Sequence, residues 1–297
     1  MSSQLQQAFQ QFTEGDLQGA VISCQMVLAS EPNNFDALLI CGIAELRMGR
    51  DTEALKSVEA ALALKPIHFD ALGAYGHLLL RAGRIRDAVT AFEKAVAVSP
   101  GDVDAHNNLG DALSRAGRHE DALAQFSKAL SFKPDYFVSH YNRGVALRAL
   151  QRNQEAIAAF AKALQLKPDL AEAANNIALL YGELGRTSES LAAFRQAVDL
   201  RPSYMPARIN LGRALYDIGD ADEAVECLER AVAIEPGNAE AQYEYGLALM
   251  HAARPKDAIE KFKEAFTLDP EHLDAGFNLS LARLLVQDFK NAWPLYD

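Results

Sequence analysis

Small and apolar residues recur along this chain in two alternating helical rhythms, broken at a fixed interval. In each 34-residue interval the first run carries its packing stripe at positions 4, 7, 8 and 11, the spacing of one face of a helix that turns about 100° per residue. The second run sets a large residue at position 24, as in Phe92, Phe126, Phe160, Phe194 and Phe262, against alanine at position 27 from Ala61 to Ala265. Pro32, Pro66, Pro100, Pro134, Pro168, Pro202, Pro236 and Pro270 then follow one another 34 residues apart. A proline ring cannot continue a helix interior, so each closes the second run. The chain therefore reads as one array of two-helix units at 1–34, 35–68, 69–102, 103–136, 137–170, 171–204, 205–238 and 239–272, with a ninth, 273–297, that stops after 25 residues.

Small residues place the contacts inside a unit. Position 8 is glycine at Gly42, Gly76, Gly110, Gly144, Gly212 and Gly246, replaced by Ala8, Ala178 and Ser280, while position 20 is alanine from Ala20 to Ala292 except at Ser190. Helices approach closely where neither carries bulk, so these positions predict where helix A crosses helix B, small residue against small residue. Position 15 is Gly15, Gly49, Gly83, Gly117, Gly185 and Gly219, which predicts a left-handed turn between the helices. Glycine at 8, alanine at 20, phenylalanine at 24, alanine at 27 and proline at 32 together resemble the tetratricopeptide repeat (TPR) over essentially the whole chain. The departures are Ala8 and Cys24 in unit 1 and the shortened unit 9. The resemblance implies an all-α right-handed superhelix, an α-solenoid of stacked hairpins whose A helices line a concave groove and whose B helices form a convex back. A single hairpin cannot hide enough apolar surface alone, which agrees with stacking.

Position 6 raises a separate question. It lies roughly 150° from the packing stripe by helix geometry, and Asn108, Asn142, Asn176, Asn210 and Asn278 all occupy it, with Glu244 interrupting. A carboxamide offers both a donor and an acceptor, the complement of a peptide group, so a row of them predicts capture of an extended, flexible peptide with little regard to its side chains. The competing reading has these amides capping or bridging neighbouring A helices, or resting on a solvated face. Net hydrogen bonds of about 1 kcal/mol each make such a row weak alone, so selectivity would fall to His77, Arg81, Asp111, Arg115, Arg148, Arg213 and Tyr216 on positions 9, 12 and 13. On this reading Asn142→Ala with Asn176→Ala weakens peptide capture and leaves thermal unfolding little changed. The acids at position 2, Asp36, Asp70, Asp104, Glu172, Glu240 and Asp274, are read first as partners of the helix dipole.

Composition narrows the function. With 29 basic and 40 acidic residues the formal charge is −11, which argues against nucleic-acid and anionic-membrane partners. No leader and no apolar run of membrane-spanning length is present, so a cytoplasmic location is the default expectation. Cys24, Cys41 and Cys227 are too few and scattered for a disulfide framework or a zinc cluster and read as reduced, packed thiols. No phosphate loop, HExxH or nucleophile elbow occurs, and no cofactor, metal or catalytic residue is expected. His106 and His140 share position 4 of adjacent units but belong to the packing stripe, which makes them core residues. The lysine at position 5 and asparagine at position 9 of chaperone-binding TPR clamps occur together in no unit.

The ends differ. Unit 1 opens with Gln4, Gln6, Gln7, Gln10 and Gln11, a polar helix suited to face water, whereas unit 9 leaves Phe289, Trp293 and Tyr296 partly uncovered, as though the natural chain continued or a partner covered it. Asp288, Phe289, Trp293 and Tyr296 are similar to a segment that often follows the TPR array of bacterial proteins resembling O-linked N-acetylglucosamine transferase, with Gln287 and Ala292 where that segment has glycine. The resemblance implies a glycosyltransferase domain beyond residue 297. Three alternatives stand: a non-catalytic scaffold that binds protein or flexible peptide segments, the substrate-selecting arm of such a transferase, and self-association through the C-terminal end or the convex face.

Overall fold

The computed structural model describes residues 3–292, which form eighteen helices and no strand. The helices of the first three pairs are α1 (Ser3–Glu14), α2 (Leu17–Ser30), α3 (Phe35–Arg47), α4 (Asp51–Leu64), α5 (Phe69–Arg81) and α6 (Ile85–Val98). The next six are α7 (Val103–Arg115), α8 (His119–Phe132), α9 (Phe137–Ala149), α10 (Asn153–Leu166), α11 (Ala171–Glu183) and α12 (Thr187–Leu200). The last are α13 (Met205–Asp217), α14 (Ala221–Ile234), α15 (Ala239–His251), α16 (Pro255–Leu268), α17 (Leu273–Leu285) and α18 (Phe289–Ala292). Contacts divide the chain into two compact units, 1–159 and 160–297, the division falling within α10.

Local chemistry accounts for the ends of these helices. Asn34, Asp102 and Asn238 cap α3, α7 and α15 by accepting the backbone N–H three residues on, at 3.0, 2.7 and 2.9 Å, which satisfies one of the free donors of a first turn. The turn from A helix to B helix is left-handed in all nine repeats: φ lies between 71° and 89° at the six glycines of position 15, and at 58°, 56° and 64° at Gln151, Ala253 and Gln287. The non-glycine residues accept a conformation that costs about 1 kcal/mol or more, because the helix pairs on either side require it.

Within a pair, the glycine of position 8 meets a different residue from the one its size suggests. A Cβ on Gly76, Gly110 or Gly246 would lie 2.5 Å from the ring of Phe92, Phe126 or Phe262, and one on Gly212 as close to Leu228. Alanine at position 20 is fully buried nearby, but the bulk that requires the glycine is the side chain of position 24, not its absence at 20. Those phenylalanines are 0% exposed, so each A helix presses on a ring that fills the pair's centre. In the first unit α2 also packs on α3, α4 on α5, α6 on α7 and α8 on α9; in the second, α12 packs on α13, α14 on α15 and α16 on α17. Successive A helices touch as well, α1 with α3, α3 with α5 and α7 with α9 in the first unit, α11 with α13 and α13 with α15 in the second.

The cysteines are core residues. Burial, the largest cause for each, pushes the Cys24 thiol up to about 11 and the Cys41 thiol up to about 12, with the charge of Glu45 acting in the same direction. No helix among the described residues is long and apolar enough to cross a membrane. Of the C-terminal segment singled out in the sequence, Asp288 and Phe289 belong to the described residues, with Phe289 exposed; Trp293 and Tyr296 lie outside them.

Candidate functional site

Within each unit, position 6 lies toward the preceding A helix where the two helices are joined, as α9 is to α7 at Asn142 and α13 to α11 at Asn210. Asn108, Asn142, Asn176, Asn210 and Asn278 are half-buried, and Glu244, at the same position, is 2% exposed. The angle measured on one helix directs this position away from that helix's own packing stripe; the A helix of the neighbouring repeat then lies beside it.

The seam has a consistent hydrogen-bond pattern. Nδ2 of Asn142 donates to Oδ1 of Asn107 at 3.1 Å, Nδ2 of Asn210 donates to Oδ1 of Asn175 at 3.1 Å, and Nδ2 of Asn278 donates to the hydroxyl oxygen of Tyr243 at 3.2 Å. Each acceptor stands at position 5 of the preceding repeat, 35 residues earlier. Asn176 donates to the backbone oxygen of Glu172 at 2.8 Å in its own helix. The amide nitrogens of Asn142, Asn210 and Asn278 thus bridge neighbouring A helices, while their Oδ1 atoms accept no hydrogen bond from any described residue and are not sealed from solvent. Asn108 differs again: its carboxamide makes no hydrogen bond among the described residues, since position 5 of the preceding repeat is Gly73.

The residues named for selectivity fall into two groups. His77 is exposed, with its ring edge-on to Phe92 at 5.2 Å between centroids; desolvation lowers its pKa, with Asp111 opposing and Arg115 assisting. Asp111 and Arg115 pair with each other at 3.0 Å, Arg81 pairs with Asp51 at 2.9 Å, and Arg148 is half-buried. In the second unit Arg213 and Tyr216 both serve Glu244. Nε of Arg213 lies 2.9 Å from Oε1 of that carboxylate, a second guanidinium nitrogen also meets it, and the Tyr216 hydroxyl donates to Oε2 at 2.7 Å. Burial works against the charge of Arg213, but the bonds and charge of Glu244 outweigh it and hold the guanidinium above its ordinary pKa. Burial first and the carboxylate second push the Tyr216 phenol well above its ordinary range. Tyr216 is 7% exposed, so it presents little to a ligand. Glu244, read in the sequence as a gap in the amide row, is the anchor of this cluster; its only signal was an acid at a position that Asn210 and Asn278 hold in the repeats on either side.

Position 4 shows a link that sequence reasoning missed. His106 and His140 each donate from Nε2 to the carbonyl of the preceding repeat's proline, Pro100 at 2.9 Å and Pro134 at 2.8 Å, and Arg208 and Gln242 do the same to Pro202 at 2.8 Å and Pro236 at 3.1 Å. These side chains close the loop between repeats, and among the described residues no group of three His, Cys, Asp or Glu is placed to hold a metal. The acids of position 2 lie in the first turns, as the helix dipole favours; Glu172 further pairs with Arg201 at 2.6 Å and Glu240 with Arg213 at 3.0 Å.

Two hollows of the first unit lie beside α5. The larger of these two, of about 440 Å³, is lined by Glu59, Tyr75, Arg84 and Asp87 among others, and these polar groups are occupied with each other: Tyr75 donates to Glu59 at 3.4 Å and Arg84 to Asp87 at 2.8 Å. The smaller, of about 220 Å³, opens beside Gly73 and includes His77 and Asn108.

Helix pairs repeating every 34 residues, with Gly76, Gly110 and Gly246 each set against a buried ring and with side chains one repeat apart joining neighbours, define a helical-repeat protein, a fold of protein-interaction scaffolds. The chain belongs to the tetratricopeptide repeat family: one model of that description matches residues 74–137, 175–238 and 209–272, more than half of the chain, and a second of the same description matches 135–203. Among solved structures, YrrB, a TPR protein with an unusual peptide-binding site, is 24% identical with a TM-score of 0.51, covering 68% of this chain and 100% of its own. A TPR protein of Parabacteroides merdae ATCC 43184 is 19% identical with a TM-score of 0.62, over 84% of this chain and 98% of its own. The APC/C hetero-tetramer Cut9–Hcn1 is 16% identical with a TM-score of 0.62, over 90% of this chain and 52% of that one. These likenesses are of fold. No curated protein sequence matches.

Proposed function

We propose that the chain is a scaffold that binds extended peptide segments along its A-helix seams, through Asn108 and Asn142 in the first unit and Asn176, Asn210 and Asn278 in the second. The observation that carries this reading is the state of the carboxamides: Asn142, Asn210 and Asn278 are each held in place by the NH2 group and keep Oδ1 free of protein donors. A carbonyl oxygen fixed in orientation is suited to accept a peptide N–H, because the cost of ordering it has been met by the fold. The binding site of YrrB is for peptide, which agrees with this use of the fold. Each bond adds only about 1 kcal/mol, so side-chain contacts must supply the remainder.

The test uses phage-displayed random nonapeptides captured by the purified chain. Synthetic versions of the enriched sequences lose binding when alternate backbone nitrogens are methylated, and lose it to the Asn108→Ala/Asn142→Ala variant while its helical circular dichroism is retained. Methylated peptides that bind as well as their parents would show that the main chain is not what is gripped. The transferase-arm reading rests on the asparagine row together with the sequence of segment 288–296. A second reading, self-association, is favoured by the exposed stripe Leu273, Phe277, Leu281 and Leu285 on α17; sedimentation of the Leu273→Ser/Phe277→Ser variant at the wild-type rate would oppose it.

A further inference from the structure

The hollow beside Gly73 is where the seam pattern lapses. At Asn142, Asn210 and Asn278 the amide of position 6 reaches a side chain at position 5 of the repeat before it: Asn107, Asn175 or Tyr243. At Asn108 that side chain is missing, because position 5 is Gly73, and a Cβ built there meets nothing within 4 Å. Two consequences follow together. The Asn108 carboxamide keeps its donors and its acceptor, and a side chain's worth of space opens next to it, about 220 Å³ in volume. Sites that enclose a whole small molecule run to roughly 300–1,000 Å³, so this one suits a single side chain of a longer ligand.

The lining describes the occupant. Phe92, Ala95 and Ala105, at 0%, 1% and 3% exposure, make an apolar floor from α6 and α7. Ile43, Leu46 and Phe69, from α3 and α5, are half-buried and also apolar. At the mouth stand Asp70 and Asp104. Neither carboxylate has a cationic partner among the described residues: Asp104 accepts only the Tyr136 hydroxyl, at 2.6 Å, and Asp70 has no ion pair. Nearby cations are committed elsewhere, Arg81 to Asp51 and Arg115 to Asp111. His77, the remaining basic group of the lining, is driven toward its neutral form by desolvation. An apolar shaft ending in two uncompensated carboxylates complements a long side chain with an aliphatic stem and a terminal cation.

We propose that this pocket receives a lysine or arginine side chain of a bound peptide, its methylenes against Ile43, Leu46 and Phe69, its cation between Asp70 and Asp104, and the adjoining peptide group on the carboxamide of Asn108. The inference rests on the peptide-binding reading above and assigns its first unit a preference for basic sequence. It also explains why a row of backbone-reading amides is not enough: the pocket supplies the contact that depends on the ligand's side chain.

The same random nonapeptide library tests it, with the enriched peptides then measured by fluorescence anisotropy. The expected result is one position fixed as lysine or arginine. Gly73→Leu, which fills open space and replaces a helical glycine with a better helix former, abolishes that enrichment. Asp70→Asn with Asp104→Asn, which keeps the hydrogen bond to Tyr136, weakens the lysine peptide roughly three- to tenfold and leaves its norleucine analogue unchanged. If the fixed position is leucine or phenylalanine, or norleucine binds as tightly as lysine, the basic occupant is wrong and the peptide reading survives. A lysine preference untouched by Gly73→Leu places the cation elsewhere and overturns the pocket. No enrichment at all, or peptides indifferent to Asn108→Ala/Asn142→Ala, overturns both.

Discussion

The carboxamide nitrogen of Asn142 donates to Oδ1 of Asn107 at 3.1 Å, and that same oxygen accepts the hydroxyl of Ser139 at 3.0 Å. Asn107 is therefore the joint between α7 and α9, and Asn142 is one of two groups that use it. Asn142→Ala should lower unfolding stability by about 0.5–1.5 kcal/mol, whereas Asn107→Leu, which leaves the fully buried Ser139 hydroxyl without its acceptor, should cost about 1–3 kcal/mol. Urea denaturation midpoints order the two. The sequence alone led to the expectation that Asn142→Ala with Asn176→Ala leaves thermal unfolding little changed; this bond predicts a loss of stability instead.

Two helical glycines should respond oppositely to the same added methyl. At Gly110 the new Cβ would lie 2.5 Å from the Phe126 ring, which is 0% exposed and cannot yield; Gly110→Ala should destabilise by about 1–3 kcal/mol. At Gly73 it meets nothing within 4 Å, so Gly73→Ala should stabilise by roughly 0.5–1 kcal/mol through helix propensity alone. Thermal melts of the two variants that shift in the same direction would contradict the close approach of α7 to α8.

Tyr216 and Glu244 make the third case. Glu244 is 2% exposed and accepts the Tyr216 hydroxyl at 2.7 Å, so Tyr216→Phe removes a bond to a buried carboxylate and should cost about 1.5–3 kcal/mol. Arg213→Met leaves the carboxylate its tyrosine but not its counter-charge. Because Arg213 is 45% exposed, solvent screens part of that loss, and about 1–3 kcal/mol is expected. Chemical denaturation of both variants and the double variant reports the coupling; strict additivity would mean that the three groups do not act as one cluster.

His77 gives a pH signature. Its pKa is lowered from the model-compound value of 6.5 by desolvation, against the pull of Asp111 and with the push of Arg115. The unfolded chain therefore takes up the proton first on acidification. The contribution of His77 is complete above the unfolded value and is lost as pH falls through the lower folded one. Relative to His77→Gln, wild-type stability should decline more steeply below about pH 6.5, and an NMR titration should place the imidazole midpoint below that value. A midpoint above it would mean that Asp70, Asp104 and Asp111 outweigh burial.

Much of the fold is legible in the residues because it depends on one helix or one turn at a time. Proline at position 32, the glycine turn at position 15 and the apolar stripe each act within a few residues, and the positive φ values at the six glycines follow; those at Gln151, Ala253 and Gln287 are imposed by the helix pairs on either side. The contact of position 8 was less legible. Glycine there announced a close approach, but only the packed pair shows that Phe92, Phe126 and Phe262 fill it.

The candidate site divides along the same line. By itself the sequence determined that an amide recurs at position 6 and that Gly73, Asp70 and Asp104 occupy their registers, because periodicity is a property of the chain. Which amides are consumed was decided only by the tertiary structure. A hydrogen bond depends on the distance to a second helix, so the fate of Asn142 is set by Asn107, that of Asn210 by Asn175, and that of Asn108 by the side chain that Gly73 lacks. Helix phase gives the direction in which a group points, and the neighbouring helix settles whether anything is there to receive it.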